Sequence, residues 1–165
     1  MKPRISSCIL AVLAMAACES ITENPQLVEM GTSLSGGRVR PDSVTSDGTG
    51  LFRGTLSSEE TFTYTMTFAG LSSAANGAHI HGPADTNEVA GIIVDLGALP
   101  DGSTGTITLG DVTGEAAGTV DLALPVTTVI SGDSLHALLR AGKVYVDVHT
   151  TDHPNGELRG NLLRN

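Results

Sequence analysis

Two segments of this 165-residue chain gather four of its five histidines: Ala78-His79-Ile80-His81-Gly82-Pro83, and the run from Lys143 to Gly160 with Asp147, His149 and His153. Alternate side chains of an extended strand share a face. His79 and His81 therefore point one way and Ile80 the other, while Val144, Val146 and Val148 form a core face that leaves Tyr145, Asp147 and His149 pointing outward together. If the two strands are neighbours, His79, His81 and His149 meet on the outer sheet surface, with Asp147 or His153 as a fourth ligand or a supporting partner. Neutral imidazole is a good ligand for Zn(II) and Cu(II), so this set could hold either ion. The same residues also suit a hydrogen-bonded polar cluster, in which Asp147 or Asp85 holds His79 and His81 and braces the loop that Gly82-Pro83 turns. A further reading makes Glu157 and Arg159, on one face of the last strand, an exposed cross-strand ion pair contributing at most about 1 kcal/mol. Spacing does not choose among these. His136 falls in a helical segment and reads as structural or solvent-facing.

The elements that must position these groups are mostly short strands. In Thr61-Phe62-Thr63-Tyr64-Thr65-Met66-Thr67-Phe68 the apolar residues share one face and the threonines the other, the pattern of a half-buried strand. Similar strands are predicted at 31–36, 49–56, 77–81, 90–96, 104–109, 117–123, 143–150 and 157–163. Turn signals such as Ser46-Asp47-Gly48, Pro100-Asp101-Gly102 and Asn155-Gly156 separate them. One helix is predicted near 131–141, with Ser131 or Asp133 as cap, Leu135, Leu138 and Leu139 as its apolar stripe, and Gly142 as its stop. This pattern predicts an all-β, antiparallel sandwich or barrel with one short helix, forming a single domain over residues 31–165.

The first residues predict export. Lys2 and Arg4 precede an uncharged, largely apolar run to Cys18, and as a helix the segment from Ile5 to Ala17 spans only about 20 Å, short of a hydrocarbon core of about 30 Å. Met15-Ala16-Ala17-Cys18 resembles the lipobox of bacterial lipoproteins. That resemblance implies a signal peptide over 1–17, a lipidated Cys18, a tether over 18–30 and a place in the bacterial cell envelope, with Glu19 pointing to the outer membrane. Losing residues 1–17 removes two of the nine basic residues and none of the 18 acidic ones, so the formal charge moves from −9 to −11. An acidic surface disfavours nucleic acid and favours cations. Cys8 leaves with the signal and Cys18 carries lipid, so no disulfide is expected. The chain has no nucleophile elbow, no phosphate loop and no Ser-His-Asp order, and no enzymatic activity is expected.

Ala78-His79-Ile80-His81-Gly82-Pro83-Ala84, with Val144-Tyr145-Val146-Asp147-Val148-His149-Thr150 and Pro154-Asn155-Gly156-Glu157-Leu158-Arg159-Gly160, resembles the CHRD domain, first described in chordin and widespread in bacterial secreted proteins. Leu34-Ser35-Gly36 and the strand ending Phe68-Ala69-Gly70-Leu71 fit the same pattern, and the resemblance spans roughly residues 30 to 163. Asp147 stands where that family more often has asparagine. The resemblance implies an immunoglobulin-like β-barrel with a distant similarity to Cu,Zn superoxide dismutase, in which a His-x-His pair and a later histidine hold copper, as His79, His81 and His149 would here. It implies no general biochemical activity. Dismutase chemistry would need a bridging histidine, further zinc ligands and a disulfide, and an acidic surface would repel superoxide. The resulting expectation is a membrane-anchored, non-enzymatic module that binds a protein or glycan partner, with a copper or zinc site as the alternative.

Overall fold

The computed structural model describes residues 27–58, 60–126 and 130–165; the predicted signal segment, Cys18 and most of the tether lie outside the described residues. Period-two alternation sets the strands. β1 (Val28–Ser35), β2 (Thr49–Leu56) and β3 (Thr61–Ala69) form an antiparallel meander. In β3 the side chains of Phe62, Tyr64, Met66 and Phe68 are buried while its threonines lie on the exposed face. The rings of Phe52, Phe62 and Tyr64 stack with centroids 5.7 to 6.4 Å apart. Each such pair adds about 0.5–1.5 kcal/mol beyond its buried area.

The chain continues through β4 (Ala75–His81), β5 (Ile92–Asp95), β6 (Thr104–Ile107), β7 (Gly114–Asp121), α1 (Gly132–Ala141), β8 (Tyr145–Thr150), β9 (Leu158–Asn161) and β10 (Leu163–Arg164). These strands form one ten-stranded, curled antiparallel sheet in the order β5-β4-β8-β9-β1-β2-β3-β7-β6, with β10 also paired to β1. Its inner face closes over a core that runs from Phe62 and Phe68 through Ile80 and Val146 to Leu158. The predicted all-β architecture with one short α-helix is the one the described residues adopt.

Helix α1 starts at Ser131, whose Oγ accepts a hydrogen bond from the Ser134 N–H at 3.2 Å. It stops at Gly142, whose φ of +65° is left-handed and favours glycine. Leu135 and Leu139 are buried and Leu138 packs half-buried against the core. The predicted strand 157–163 is broken: β9 ends at Asn161, the Leu162 N–H donates to the Val144 carbonyl, and β10 resumes against β1. Gly160 lies where β9 presses on β1, and a Cβ there would stand 2.6 Å from the Ser33 carbonyl oxygen.

Strands β4, β8 and β9 lie side by side and place the histidine segments. Their register sets His79 opposite Asp147, His81 opposite Tyr145, Gly77 opposite His149, and Asp147 opposite Arg159. Ile80, Val146 and Leu158 face the core, so the polar partners share the outer face. That face is not open to solvent as the alternation alone suggests: His81 is 7 % exposed, Asp147 5 % and Tyr145 4 %. Backbone carbonyls of Ala90 and Pro154, from the segments that follow β4 and β8, reach over it.

Candidate metal centre

His79, His81, Asp147 and His149 converge on the outer face, each offering one donor atom, and these atoms lie within 4.8 Å of one another. Asp147 is at the centre. Its carboxylate stands 3.1 Å from His81 Nε2 and 3.0 Å from His149 Nε2, and its Oδ1 lies 3.8 Å from His79 Nδ1. The imidazole rings pack edge to face, with centroids 4.7 Å apart for His79 and His149 and 5.7 Å for His79 and His81. Gly77 makes the room, since a Cβ there would stand 3.1 Å from His79 Cε1.

Backbone carbonyls fix which nitrogen faces inward. His81 Nδ1 lies 2.9 Å from the Ala90 carbonyl and His149 Nδ1 lies 2.9 Å from the Pro154 carbonyl. A carbonyl only accepts, so both Nδ1 atoms donate and both Nε2 atoms turn toward Asp147. The same arrangement, an Nδ1–H held by a carbonyl and a free Nε2, is how ligating histidines are oriented toward a metal. His79 differs, because its Nδ1 is buried and has no hydrogen-bond partner.

The local electrostatics follow from these contacts. Burial works to raise the Asp147 pKa, but hydrogen bonds and charge from His149 and His81 outweigh it and hold the carboxyl below its ordinary value. Burial works to lower the His149 pKa, yet Asp147 and the Pro154 carbonyl hold the imidazole above its ordinary 6.5. Burial, with the neighbouring His149, pushes His79 below 6.5. Protonation is therefore disfavoured at His79 and favoured at His149, where the Asp147 carboxylate faces the ring.

Comparison with known families agrees with the motifs, since the CHRD domain model matches residues 30–162. The chain belongs to the CHRD family. No curated protein and no solved structure matches it.

Other candidate residues of this CHRD domain take different places. His153 lies in the turn after β8, where its backbone N–H donates to Thr150 Oγ1 at 3.2 Å, and it stands outside the converging group, as does His136 on α1. Asp85 does not hold the histidines, because it pairs with Lys143 across the Gly82-Pro83 turn. Glu157 and Arg159 do not form an exposed ion pair either. Fully buried, Glu157 accepts from Ser46 Oγ at 2.6 Å and from Ser72 N, Ser72 Oγ and Thr150 Oγ1 at 2.8 Å. Against the upward pull of burial, these donors keep its pKa below the ordinary 4.5. Arg159 is 2 % exposed and lies over the Tyr145 ring, 3.6 Å from the centroid, and the same ring stacks on His81 at 4.7 Å. The register that aims Asp147 at the histidines thus also carries an arginine to the site's flank. Sequence reading missed the Ala90 and Pro154 carbonyls and the part played by Tyr145. A backbone carbonyl has no sequence signature, whereas Tyr145 shares the parity of Asp147 and His149.

Proposed function

We propose that this chain is a non-enzymatic, exported protein of the cell envelope, held to a membrane by lipid on Cys18, whose CHRD domain binds one Cu(II) or Zn(II) ion. His79, His81 and His149 are the ligands and Asp147 is the fourth ligand or the group that orients them. The observation that carries this reading is the convergence of three imidazoles and one carboxylate within 4.8 Å. Contraction onto metal–nitrogen distances of about 2.0–2.1 Å needs movements of an ångström or so. A buried His79 nitrogen without a hydrogen-bond partner supports it, because burying such a group is costly unless something binds it. The acidic chain, at a formal charge of −9, raises the local concentration of cations. A binding role suits a domain whose remaining histidines, His136 and His153, stand apart from the group. Presentation to a protein or glycan partner at the membrane completes the proposal.

Equilibrium dialysis of the purified, metal-stripped chain against Cu(II) or Zn(II), followed by elemental analysis, tests the site. One ion per chain, lost in His79→Ala and in His149→Ala, is expected. Equal retention by parent and both variants would refute it. For the anchor, Cys18→Ser should move the protein from the membrane fraction to the soluble one, and unchanged fractionation would refute lipidation.

A further inference from the structure

Beside the histidine group lies a cleft of about 320 Å³ whose walls include Arg40 and Arg159. The chain has only nine basic residues against 18 acidic ones, yet neither guanidinium has a carboxylate within 4.0 Å among the described residues. Arg40 donates to the Gly37 and Val39 carbonyls and to Asn87, and Arg159 Nη2 donates to the Asp85 carbonyl at 3.3 Å. Arg159 Nε is buried with no partner at all. Arg159 feels the Asp147 carboxylate only at longer range, and a buried cation with no carboxylate hydrogen-bonded to it is costly. With the half-buried Arg40 on the same cleft, two guanidiniums are placed to meet an anion there. Val39, Pro41, Val89 and Pro154 supply an apolar stretch of wall, while His81, Tyr145, Asp147 and His149 line the side toward the histidine group, so the cleft offers a charged end and an apolar body.

We propose that this cleft binds a small organic carboxylate, its carboxylate group on Arg159 and Arg40 and a short apolar body against Val39, Pro41, Val89 and Pro154. Planar carboxylates match the guanidinium fork in a two-bond geometry. The volume accommodates a molecule of about ten non-hydrogen atoms. His81, Asp147 and His149 line the same cleft, so it adjoins the proposed metal ligands, but Arg40 and Arg159 are not among those ligands and the proposal does not rest on the metal reading.

Calorimetric titration of the metal-stripped chain at low ionic strength, with acetate, butyrate and inorganic phosphate as separate probes, tests it. Saturable binding of one butyrate per chain is expected, with acetate weaker and phosphate weaker still. Arg159→Gln should weaken butyrate about tenfold or more, the loss expected for a charged hydrogen bond. Arg159 is buried, so Arg40→Gln at a half-buried position is the second variant, with a severalfold loss expected. Absence of saturable butyrate binding would overturn the proposal, as would binding unchanged in the folded Arg40→Gln chain or a preference for phosphate. Because no metal is present, failure here leaves the metal site standing, and failure of the metal site leaves this one standing.

Discussion

Replacing Glu157 by alanine removes the acceptor of four hydrogen bonds at once. The carboxylate is fully buried, and Ser46 Oγ, Ser72 N, Ser72 Oγ and Thr150 Oγ1 converge on it at 2.6 to 2.8 Å with no cation opposite. A buried donor left without an acceptor costs about 1–3 kcal/mol. Hydroxyls can turn and water can reach the exposed Ser72, so the sum falls short of four full penalties, and Glu157→Ala should cost about 3–5 kcal/mol. For a domain of this size that is a fall of about 10–20 °C in Tm. Glu157→Gln keeps the shape and one acceptor oxygen, and Ser72 and Thr150 can turn their hydroxyls to accept from its amide. Its cost should be about 1–2 kcal/mol, nearer 5 °C. Thermal denaturation followed by circular dichroism, in metal-free buffer, measures both. The folded Glu157 pKa lies below its ordinary 4.5, so its contribution is complete above that value and is lost as pH falls through the folded one. The gap between parent and Glu157→Gln must therefore close on acidification. A Gln variant as damaged as the Ala variant, or an Ala variant within about 1 kcal/mol of the parent, would refute the assignment of this network as a staple of the β8–β9 turn.

Tyr64 gives the opposite expectation: its hydroxyl is buried with no partner and burial pushes its pKa up to about 12. Tyr64→Phe should leave stability unchanged or raise it by up to about 1 kcal/mol in urea denaturation, and a clear loss would reveal a partner for the hydroxyl. Gly77→Ala should fold, since Gly77 is outside the left-handed region, but its Cβ at 3.1 Å from His79 Cε1 should shift that ring. Metal affinity should then fall about tenfold with little change in Tm, and an unchanged affinity would contradict the placement of His79 as a ligand. Zn(II) titrated into the metal-stripped chain should release protons, because the ion displaces the proton that the Asp147 carboxylate favours on His149. As the His149 pKa stands above 6.5, this competition should begin above pH 6.5 and weaken binding progressively below it. Affinity independent of pH between 5 and 8 would exclude imidazole ligands.

Alternation carried much of this architecture. The Phe62-Tyr64-Met66-Phe68 stripe placed β3, and the parity of Ile80 and Val146 put His79, His81, Asp147 and His149 on one sheet face. Whether β4 and β8 were neighbours was not legible, because antiparallel pairing between distant segments leaves no local pattern. The register of His79 against Asp147 came from the structure. Burial of that face was hidden for a related reason: the segments after β4 and β8 cover it through the Ala90 and Pro154 carbonyls, which any residue supplies. The fate of Glu157 was equally closed to inspection, since its partners Ser46 and Ser72 lie 111 and 85 positions away. Arg159 looked like an exposed partner for Glu157, but the Tyr145 ring beside it offered a stacking surface that the sequence places only once β8 and β9 are paired.

The most direct test of the metal centre is electron paramagnetic resonance of the chain loaded with one equivalent of Cu(II). Convergence of His79, His81 and His149 predicts a single copper species with splitting from three imidazole nitrogens, reduced in each single alanine variant and absent from the triple variant. A copper signal without imidazole nitrogen, or one identical in the parent and the triple variant, would contradict it.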